Sequence, residues 1–180
     1  GVKIIGTGSA LPKRKVTNFD LEKIVDTTND WIVERTGIEE RRIISDEETS
    51  ISISLKASLD AISNANIKKS EIDLIIFASI TPDYITPSSA SIIQKELEIP
   101  NCVSFDISAG CSGFVYALFL ANSLMMTHSF KYALIIGCDA LSKITDWSDR
   151  STCVLFGDGA GAVVLKSTKE NKFLSCSINS

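Results

Sequence analysis

The sequence predicts an α/β fold in which a mainly parallel sheet carries helices on both faces. Short apolar runs rich in β-formers alternate along the chain with helical segments that are long enough for crossover connections. The runs at Leu74–Ala78 and at residues 132–137 are apolar without interruption, which is typical of strands that are covered on both faces. Together these patterns favour sheet layers between helices over a helical bundle or a β-sandwich.

The strands are predicted from apolar runs between turn residues. In chain order they lie at residues 2–5, 41–44, 74–78, 102–107 and 132–137, with shorter extended pieces at 154–155 and 162–165 and another from residue 173.

The helices are predicted from caps and from apolar spacing. Asn18 is a suitable N-cap for a helix to residue 25, and Asn29 or Asp30 for one over residues 31–36 that Gly37 ends. A third helix covers residues 50–64, because apolar residues recur there at helical spacing, although the alternation within residues 51–55 also fits a strand. Further helices are predicted at residues 89–97 and from Cys111 onward. The apolar residues at helical spacing in the third helix are Ile51, Leu55, Leu59 and Ile62.

Composition excludes several classes of function. The chain has 180 residues, of which 44% are hydrophobic and 22% charged, values that are ordinary for a soluble domain. Its net charge of −4 gives no electrostatic reason to expect nucleic acid. Five cysteines without a C-x-x-C pair, and a single histidine, predict neither a metal site nor a disulfide scaffold. Free thiols of this kind suit a reducing, cytoplasmic environment.

No membrane segment is predicted. Residues 1–6 read as a strand rather than as a signal peptide. Residues 112–126 carry no formal charge, but this stretch is short for a bilayer span and contains Ser112, Asn122 and Ser123. It is interpreted as the central buried helix of a water-soluble fold.

Cys111 is the strongest candidate for chemistry. It follows a β-rich run and lies among small residues where the long apolar helix begins. Backbone N–H groups and the positive end of the helix dipole favour the thiolate form there, and small neighbours let another molecule approach the sulfur. A buried structural cysteine is the alternative, since free cysteines are often buried.

The only histidine, His128, lies seventeen residues after Cys111. A helix of that length separates the two side chains by roughly 25 Å, at about 1.5 Å per residue. His128 is therefore predicted to be a surface residue rather than the base for the thiol, and that base must come from outside this sequence.

Two glycine clusters do not fit nucleotide-binding motifs. Gly6 and Gly8 lack the third glycine of a dinucleotide fingerprint, and the cluster at residues 157–161 has different spacing and lies late in the chain. Tight turns and close backbone packing are the preferred interpretation of both clusters. The sequence GCSG at residues 110–113 likewise does not match the G-x-S-x-G motif of serine hydrolases.

A looser set of residues consists of Trp31, Arg35 and Arg150. Trp31 and Arg35 share a helix face and can stack on or pair with an aromatic ligand that bears phosphate. A plain surface cation–π pair is the simpler interpretation. The charged stretches at residues 13–15 and 41–42 are interpreted as solvated charge.

Four segments, in their order and spacing, resemble β-ketoacyl-acyl carrier protein synthase III, the condensing enzyme that initiates type II fatty acid synthesis. They are IIGTG at residues 4–8, NDWIVERTGI at 29–38, DISAGCSGF at 106–114 and FGDGAGA at 156–162. The resemblance extends over residues 1–180. It implies a thiolase-like fold with two similar halves, each with a mixed, mainly parallel five-stranded sheet, of which this chain is the N-terminal half.

The resemblance also implies an activity. In the family, an acetyl or other short acyl group passes from coenzyme A to the cysteine and then condenses with malonyl-acyl carrier protein, which loses carbon dioxide. The family uses no cofactor or metal beyond these substrates. A histidine and an asparagine of the second half activate the malonyl group, and this chain lacks that half. A homodimer is implied as well.

Site residues follow from the same resemblance. Cys111 matches the nucleophile, and Gly110 before it departs slightly from the family's usual alanine. The residues that match the coenzyme A site are Thr27, Trp31, Arg35 and Arg150, of which Trp31 and Arg150 enclose the adenine. The residues that match the acyl pocket are Leu141, Phe156 and Thr86, the last reaching into the neighbouring subunit.

Two alternatives stay open. A sister condensing enzyme of the same fold, of the polyketide-starter or hydroxymethylglutaryl-CoA synthase type, also uses a cysteine at a helix start. The chain is otherwise a non-catalytic half that dimerises or binds acyl carrier protein. Primer length and branching are not determined by the sequence.

Overall fold

The computed structural model describes residues 1–170 and 172–178. The strands are β1 (Val2–Ala10), β2 (Arg14–Thr17), β3 (Glu40–Ile43), β4 (Leu74–Ala78), β5 (Val103–Ile107), β6 (Tyr132–Ala140) and β7 (Asp158–Ser167). The helices are α1 (Asn18–Leu21), α2 (Asn29–Thr36), α3 (Ser50–Ala65), α4 (Ser89–Glu96), α5 (Gly113–Thr127) and α6 (Arg150–Cys153), and a single 3₁₀ turn at Gly110–Ser112 precedes α5.

The main sheet has five strands in the order β1-β7-β6-β4-β5. Strands β5, β4 and β6 are parallel neighbours, whereas β7 pairs antiparallel with both β6 and β1. Helices α3 and α4 cover one face and α5 covers the other. The predicted architecture, a mixed and mainly parallel sheet with helices on both faces, is confirmed.

Alternation along the central strands divides the core between the two faces. In β4, Ile75 and Phe77 face α3 and α4, and Leu74, Ile76 and Ala78 face α5. All five side chains are buried, because every residue of this strand packs against a helix. The prediction made from its uninterrupted apolar run is confirmed.

Strand β1 is longer than predicted and contains both Gly6 and Gly8. A Cβ atom at Gly8 would overlap the carbonyl oxygen of Ala57 and the amide nitrogen of Ala61 in α3. The predicted close backbone packing is therefore correct, and the predicted tight turn is wrong. Helix α3 presents small residues to this strand, so the two backbones approach each other closely.

The predicted apolar stripe of α3 is partly wrong. Ile51 and Ile62 are buried, but Leu59 is 48% exposed. The buried face also includes Ala57 and Ala61, whose backbone atoms lie directly against Gly8 of β1. The alternative of a strand at residues 51–55 is excluded, because Thr49 caps a continuous helix over Ser50–Ala65.

Further differences concern short elements. Thr17 rather than Asn18 caps α1, which ends at Leu21 instead of residue 25, and Thr28 rather than Asn29 or Asp30 caps α2. Strand β2 was predicted only as solvated charge, and it pairs with β3 in a separate two-stranded ribbon. The glycine cluster at residues 157–161 lies largely within β7 rather than between two extended pieces. The described residues from Phe173 to residue 178 form no strand.

Helix α5 differs from the central buried helix that the sequence predicts. Together with the preceding turn, the helical segment Gly110–Thr127 is long and apolar enough to cross a membrane by length and composition alone, with a mean hydropathy of 1.3. Its buried residues recur every fourth position on the side facing the sheet, and Val115, Phe119 and Met126 on other sides are exposed. In this chain α5 is therefore half covered. The buried residues are Gly113, Ala117, Ala121 and Met125.

Asp83 fastens the loop between β4 and α4, residues 79–88, to the start of α3. Its side chain is 8% exposed and accepts hydrogen bonds from the amides of Ser50 and Ile51 at 3.1 and 2.8 Å and from the Lys143 ammonium at 2.6 Å. Burial by itself raises the pKa of a carboxyl group, but these three donors outweigh burial and lower the pKa of Asp83.

We expect Asp83→Asn to destabilise the full-length protein by about 2 kcal/mol near neutral pH, because the charge-assisted hydrogen bonds are lost. The folded pKa lies below the ordinary value of 3.8. The stabilisation is therefore present above that value and disappears as the pH falls through the folded pKa. Urea unfolding at neutral and acidic pH measures both effects. Asp46→Asn, at an exposed position, is the control, and equal acid sensitivity of the Asp83→Asn variant and the parent would contradict the assignment.

Candidate active site

Cys111 lies in the middle of the 3₁₀ turn that joins β5 to α5. Its side chain is exposed. The sequence predicted that the helix begins at Cys111, whereas α5 begins two residues later, at Gly113. Gly110 adopts a positive φ of 55°, a conformation that glycine tolerates better than alanine. The turn follows the carboxyl end of β5, at the end of the sheet where the parallel strands β4 and β5 both finish.

Two cavities meet at Cys111. One, of about 360 Å³, is mostly apolar and is lined by Leu141 and Phe156 as well as by Cys111. The structure thus brings the predicted nucleophile and two predicted acyl-pocket residues to one cavity. Thr86 does not line this cavity and is exposed in the loop between β4 and α4.

The second cavity, of about 530 Å³, has a wall made largely of glycines and includes Cys111 and Cys138. Burial raises the pKa of Cys138 to about 12, so this second thiol stays protonated at neutral pH. Burial also raises the pKa of Cys102 to about 11. Of the two thiols that line the cavity, the exposed Cys111 is the one that can act as a nucleophile.

Sequence reasoning missed a wall of the smaller cavity. Ile80, at the beginning of the loop between β4 and α4, lines it together with Ile144. Asp139 at the end of β6 fixes Ile80, since its Oδ1 accepts a hydrogen bond from the Ile80 amide at 2.9 Å and from the hydroxyls of Ser79 and Thr81 at 3.1 Å each. A carboxylate at the carboxyl end of a buried strand is the signal that the sequence offered for this contact.

Trp31, Arg35 and Arg150 come together although Arg150 is distant in sequence. The Arg35 guanidinium lies 4.4 Å from the centre of the Trp31 ring and the Arg150 guanidinium 4.8 Å from it. Arg150 also donates a hydrogen bond to the Asp26 carbonyl at 2.9 Å. Two cations beside one aromatic ring can bind an anionic ligand with an aromatic group.

Thr27 lies next to this cluster in sequence. Its hydroxyl oxygen is buried and has no hydrogen-bond partner among the residues that the structure describes. His128 caps the far end of α5, where it stacks on Phe130 with a ring separation of 5.3 Å. It is exposed, as predicted, and lies at the opposite end of the helix from Cys111. No cluster of possible metal ligands occurs in the described residues.

Comparisons with known proteins identify relatives of the chain. A family model for 3-oxoacyl-[acyl-carrier-protein (ACP)] synthase III matches residues 105–180. The β-ketoacyl-[acyl-carrier-protein] synthase III of Clostridium acetobutylicum is 51% identical over 99% of this chain, which covers 55% of that protein. The protein of the same name from Thioalkalivibrio sulfidiphilus is 50% identical over 96% of the chain, which covers 54% of it.

Solved structures agree with the fold. The 3-oxoacyl-[acyl-carrier-protein] synthase III of Aquifex aeolicus superposes with a TM-score of 0.91 at 52% identity, over 94% of this chain and 55% of that one. The priming β-ketosynthase of the R1128 polyketide pathway gives 0.90 at 35% identity, over 94% and 51%. The chain spans about half the length of these relatives. It is about half identical to named synthases over almost all of its own length, and it belongs to the β-ketoacyl-acyl carrier protein synthase III family.

Proposed function

We propose that residues 1–180 form the N-terminal half-domain of a β-ketoacyl-acyl carrier protein synthase III. The observation that carries this proposal is the exposed Cys111 thiol at a cavity that Leu141 and Phe156 also line. A polarisable sulfur beside an apolar cavity suits the transfer of a short acyl chain between thioesters.

The first step of the proposed reaction is thioester exchange. The Cys111 thiolate attacks the carbonyl carbon of acetyl-CoA, forms a tetrahedral oxyanion, and expels the coenzyme A thiolate as the acetyl–Cys111 bond is completed. The Cys111 amide is the candidate donor for that oxyanion, because N–H groups at the start of a helix have no partner within it. Leu141 and Phe156 enclose the acyl chain.

The second step needs the remainder of the protein. Malonyl-acyl carrier protein loses carbon dioxide, and the resulting carbanion attacks the acetyl–Cys111 carbonyl carbon and releases the Cys111 thiolate. The histidine and asparagine that the family supplies for this step belong to the second half. The exposed apolar side of α5 supports a further covering layer from that half. The family resemblance is the basis on which we also propose a cytoplasmic homodimer.

Coenzyme A is proposed to bind at Trp31, Arg35, Arg150 and Thr27. The adenine stacks between the Trp31 ring and the Arg150 guanidinium, and Arg35 and Thr27 lie near the nucleotide end, where the Arg35 guanidinium pairs with phosphate. In the structure Arg150 lies against Trp31, so adenine binding between the two moves the guanidinium outward. Coenzyme A acts as a substrate, and the proposed reaction uses no further cofactor or metal.

The test is acetyl transfer and condensation by the full-length protein. We expect acetyl-CoA to label Cys111 and malonyl-acyl carrier protein then to give acetoacetyl-acyl carrier protein. Preferential labelling by longer acyl groups favours a polyketide-starter synthase. The priming β-ketosynthase of the R1128 pathway, which is 35% identical to this chain, is an enzyme of that type. Condensation with acetoacetyl-CoA favours the hydroxymethylglutaryl-CoA type. The absence of any acyl adduct, seen by intact mass, would indicate a non-catalytic half.

We expect Trp31→Ala to raise the KM for acetyl-CoA about tenfold with a smaller effect on kcat, because stacking on the adenine is lost. Steady-state kinetics with varied acetyl-CoA measures this split. Trp147→Phe is the control, since Trp147 packs against the same buried cluster as Trp31 but donates to the Ser142 carbonyl and is not proposed to contact coenzyme A. An unchanged KM in the Trp31→Ala variant would remove Trp31 from the site.

A further inference from the structure

Arg41 is a buried cation in strand β3. Only 5% of its surface is exposed, although the sequence indicated solvated charge at residues 41–42. In the part of the chain that the structure describes, no carboxylate pairs with it. A buried guanidinium without a counter-ion is costly, so its retention calls for a specific role.

The Arg41 guanidinium instead bridges three separate segments. Nη1 donates to the Val16 carbonyl in β2 at 3.2 Å, and Nη2 donates to the Asn18 Oδ1 at 2.9 Å and to the Val154 carbonyl at 3.0 Å. Val154 is the C-cap that directly follows α6, whose first residue is Arg150. The planar fork of arginine suits such a bridge, because its donors point in several fixed directions.

Asn18 extends the bridge to both ends of α2. It is fully buried, and its Nδ2 donates to the Asn29 Oδ1 at 3.1 Å and to the Ile38 carbonyl at 2.7 Å. Asn29 begins α2, and Ile38 follows the glycine that ends it. One connected network therefore holds the helix that carries Trp31 and Arg35 against the helix that carries Arg150.

We propose that Arg41 is a positioning residue for the coenzyme A site. Through Asn18 and Val154 it fixes the separation between α2, which carries Trp31, and α6, which carries Arg150. This inference rests on the proposed function, because it assigns the ligand of that cluster. Burial also lowers the pKa of Arg41, as expected for a cation removed from water. Arg41 does not touch the ligand and acts through α2 and α6.

The test compares Arg41→Met with Arg42→Met in the full-length protein. Arg42 is the next residue in β3, and it donates to the Pro12 carbonyl and pairs with Glu40. We expect Arg41→Met to raise both the KM for acetyl-CoA and the calorimetric Kd for free coenzyme A about tenfold, whereas the KM for malonyl-acyl carrier protein stays within twofold. Arg42→Met is expected to leave all three values within twofold.

Two further variants separate positioning from charge and from general stability. Arg41→Lys keeps the positive charge but lacks the planar fork of donors, so we expect the same raised Kd for coenzyme A as in Arg41→Met. A Kd equal to that of the parent would show that charge alone matters and would contradict the positioning role. Asn18→Ala is expected to raise the Kd similarly, and the double variant Asn18→Ala/Arg41→Met no further than either single variant, because both act through one network. A purely structural role predicts equal losses for both substrates.

The outcomes also separate this inference from the proposed function. If the parent protein transfers acetyl groups and Arg41→Met leaves the KM and Kd for coenzyme A unchanged, the positioning role is wrong and the proposed function stands. If the parent protein neither binds coenzyme A nor accepts an acetyl group, both are wrong.

Discussion

Full-length protein with Cys111→Ser is expected to lose acetyl transfer from coenzyme A by about 10³-fold or more. A serine hydroxyl stays protonated at neutral pH, and it is a much weaker nucleophile toward a thioester than a cysteine sulfur. Intact-mass analysis after incubation with acetyl-CoA measures the acetyl adduct directly, and single-turnover kinetics measures the rate of its formation.

Cys102→Ser is the matched control for this experiment. Cys102 lies just before β5, is partly buried, and has a raised pKa because of that burial. This variant is expected to keep the parent's rate of acetylation. An adduct of normal yield on the Cys111→Ser protein would show that another residue accepts the acyl group.

Gly8→Ala is expected to destabilise the full-length protein by about 3 kcal/mol, because overpacking at a site that cannot relax has a cost of this size. The added methyl group meets backbone atoms of Ala57 and Ala61 in α3 rather than a movable side chain. Either β1 moves away from α3, or the strand loses its pairing with β7. Urea unfolding of the variant and the parent measures the change.

Gly161→Ala provides the comparison within the same sheet. Gly161 pairs with Ser9 of β1 and with Gly137 of β6, and a Cβ atom there meets no other atom within 4 Å. We expect its stability to remain close to that of the parent. If the two alanine variants unfold at the same urea concentration, close approach of α3 is not the reason for the glycine at position 8.

The central strands were predictable from the sequence, whereas the edge elements were not. Every residue of β4 faces a helix, so its apolar run reports its position directly. The full length of β1 was not predictable, because its glycines match the usual signal for a turn. These glycines are explained by the close approach of α3, some fifty residues later in the chain. Strand β2 lies in a peripheral two-stranded ribbon and carries charged residues, so its sequence looks like that of a solvated loop.

The candidate site shows the same division. The place of Cys111 just before α5 was predictable from its small neighbours and the apolar helix that follows. The convergence of Arg150 on Trp31 depends on tertiary structure and came only from the family resemblance. The burial of Arg41 had one local signal that was missed, since strand alternation places it on the same side of β3 as the buried Ile43.

The pairing of β1 with β7 has a consequence for protein synthesis. Val2 pairs with Ser167, so the ribosome must make about 160 further residues, at about 5–20 residues per second, before β1 finds its neighbour. Until β7 emerges, β6 is an unpaired edge whose apolar side chains are ready to associate with other chains. Nascent chains that stall before residue 158 are therefore the form most in need of a chaperone.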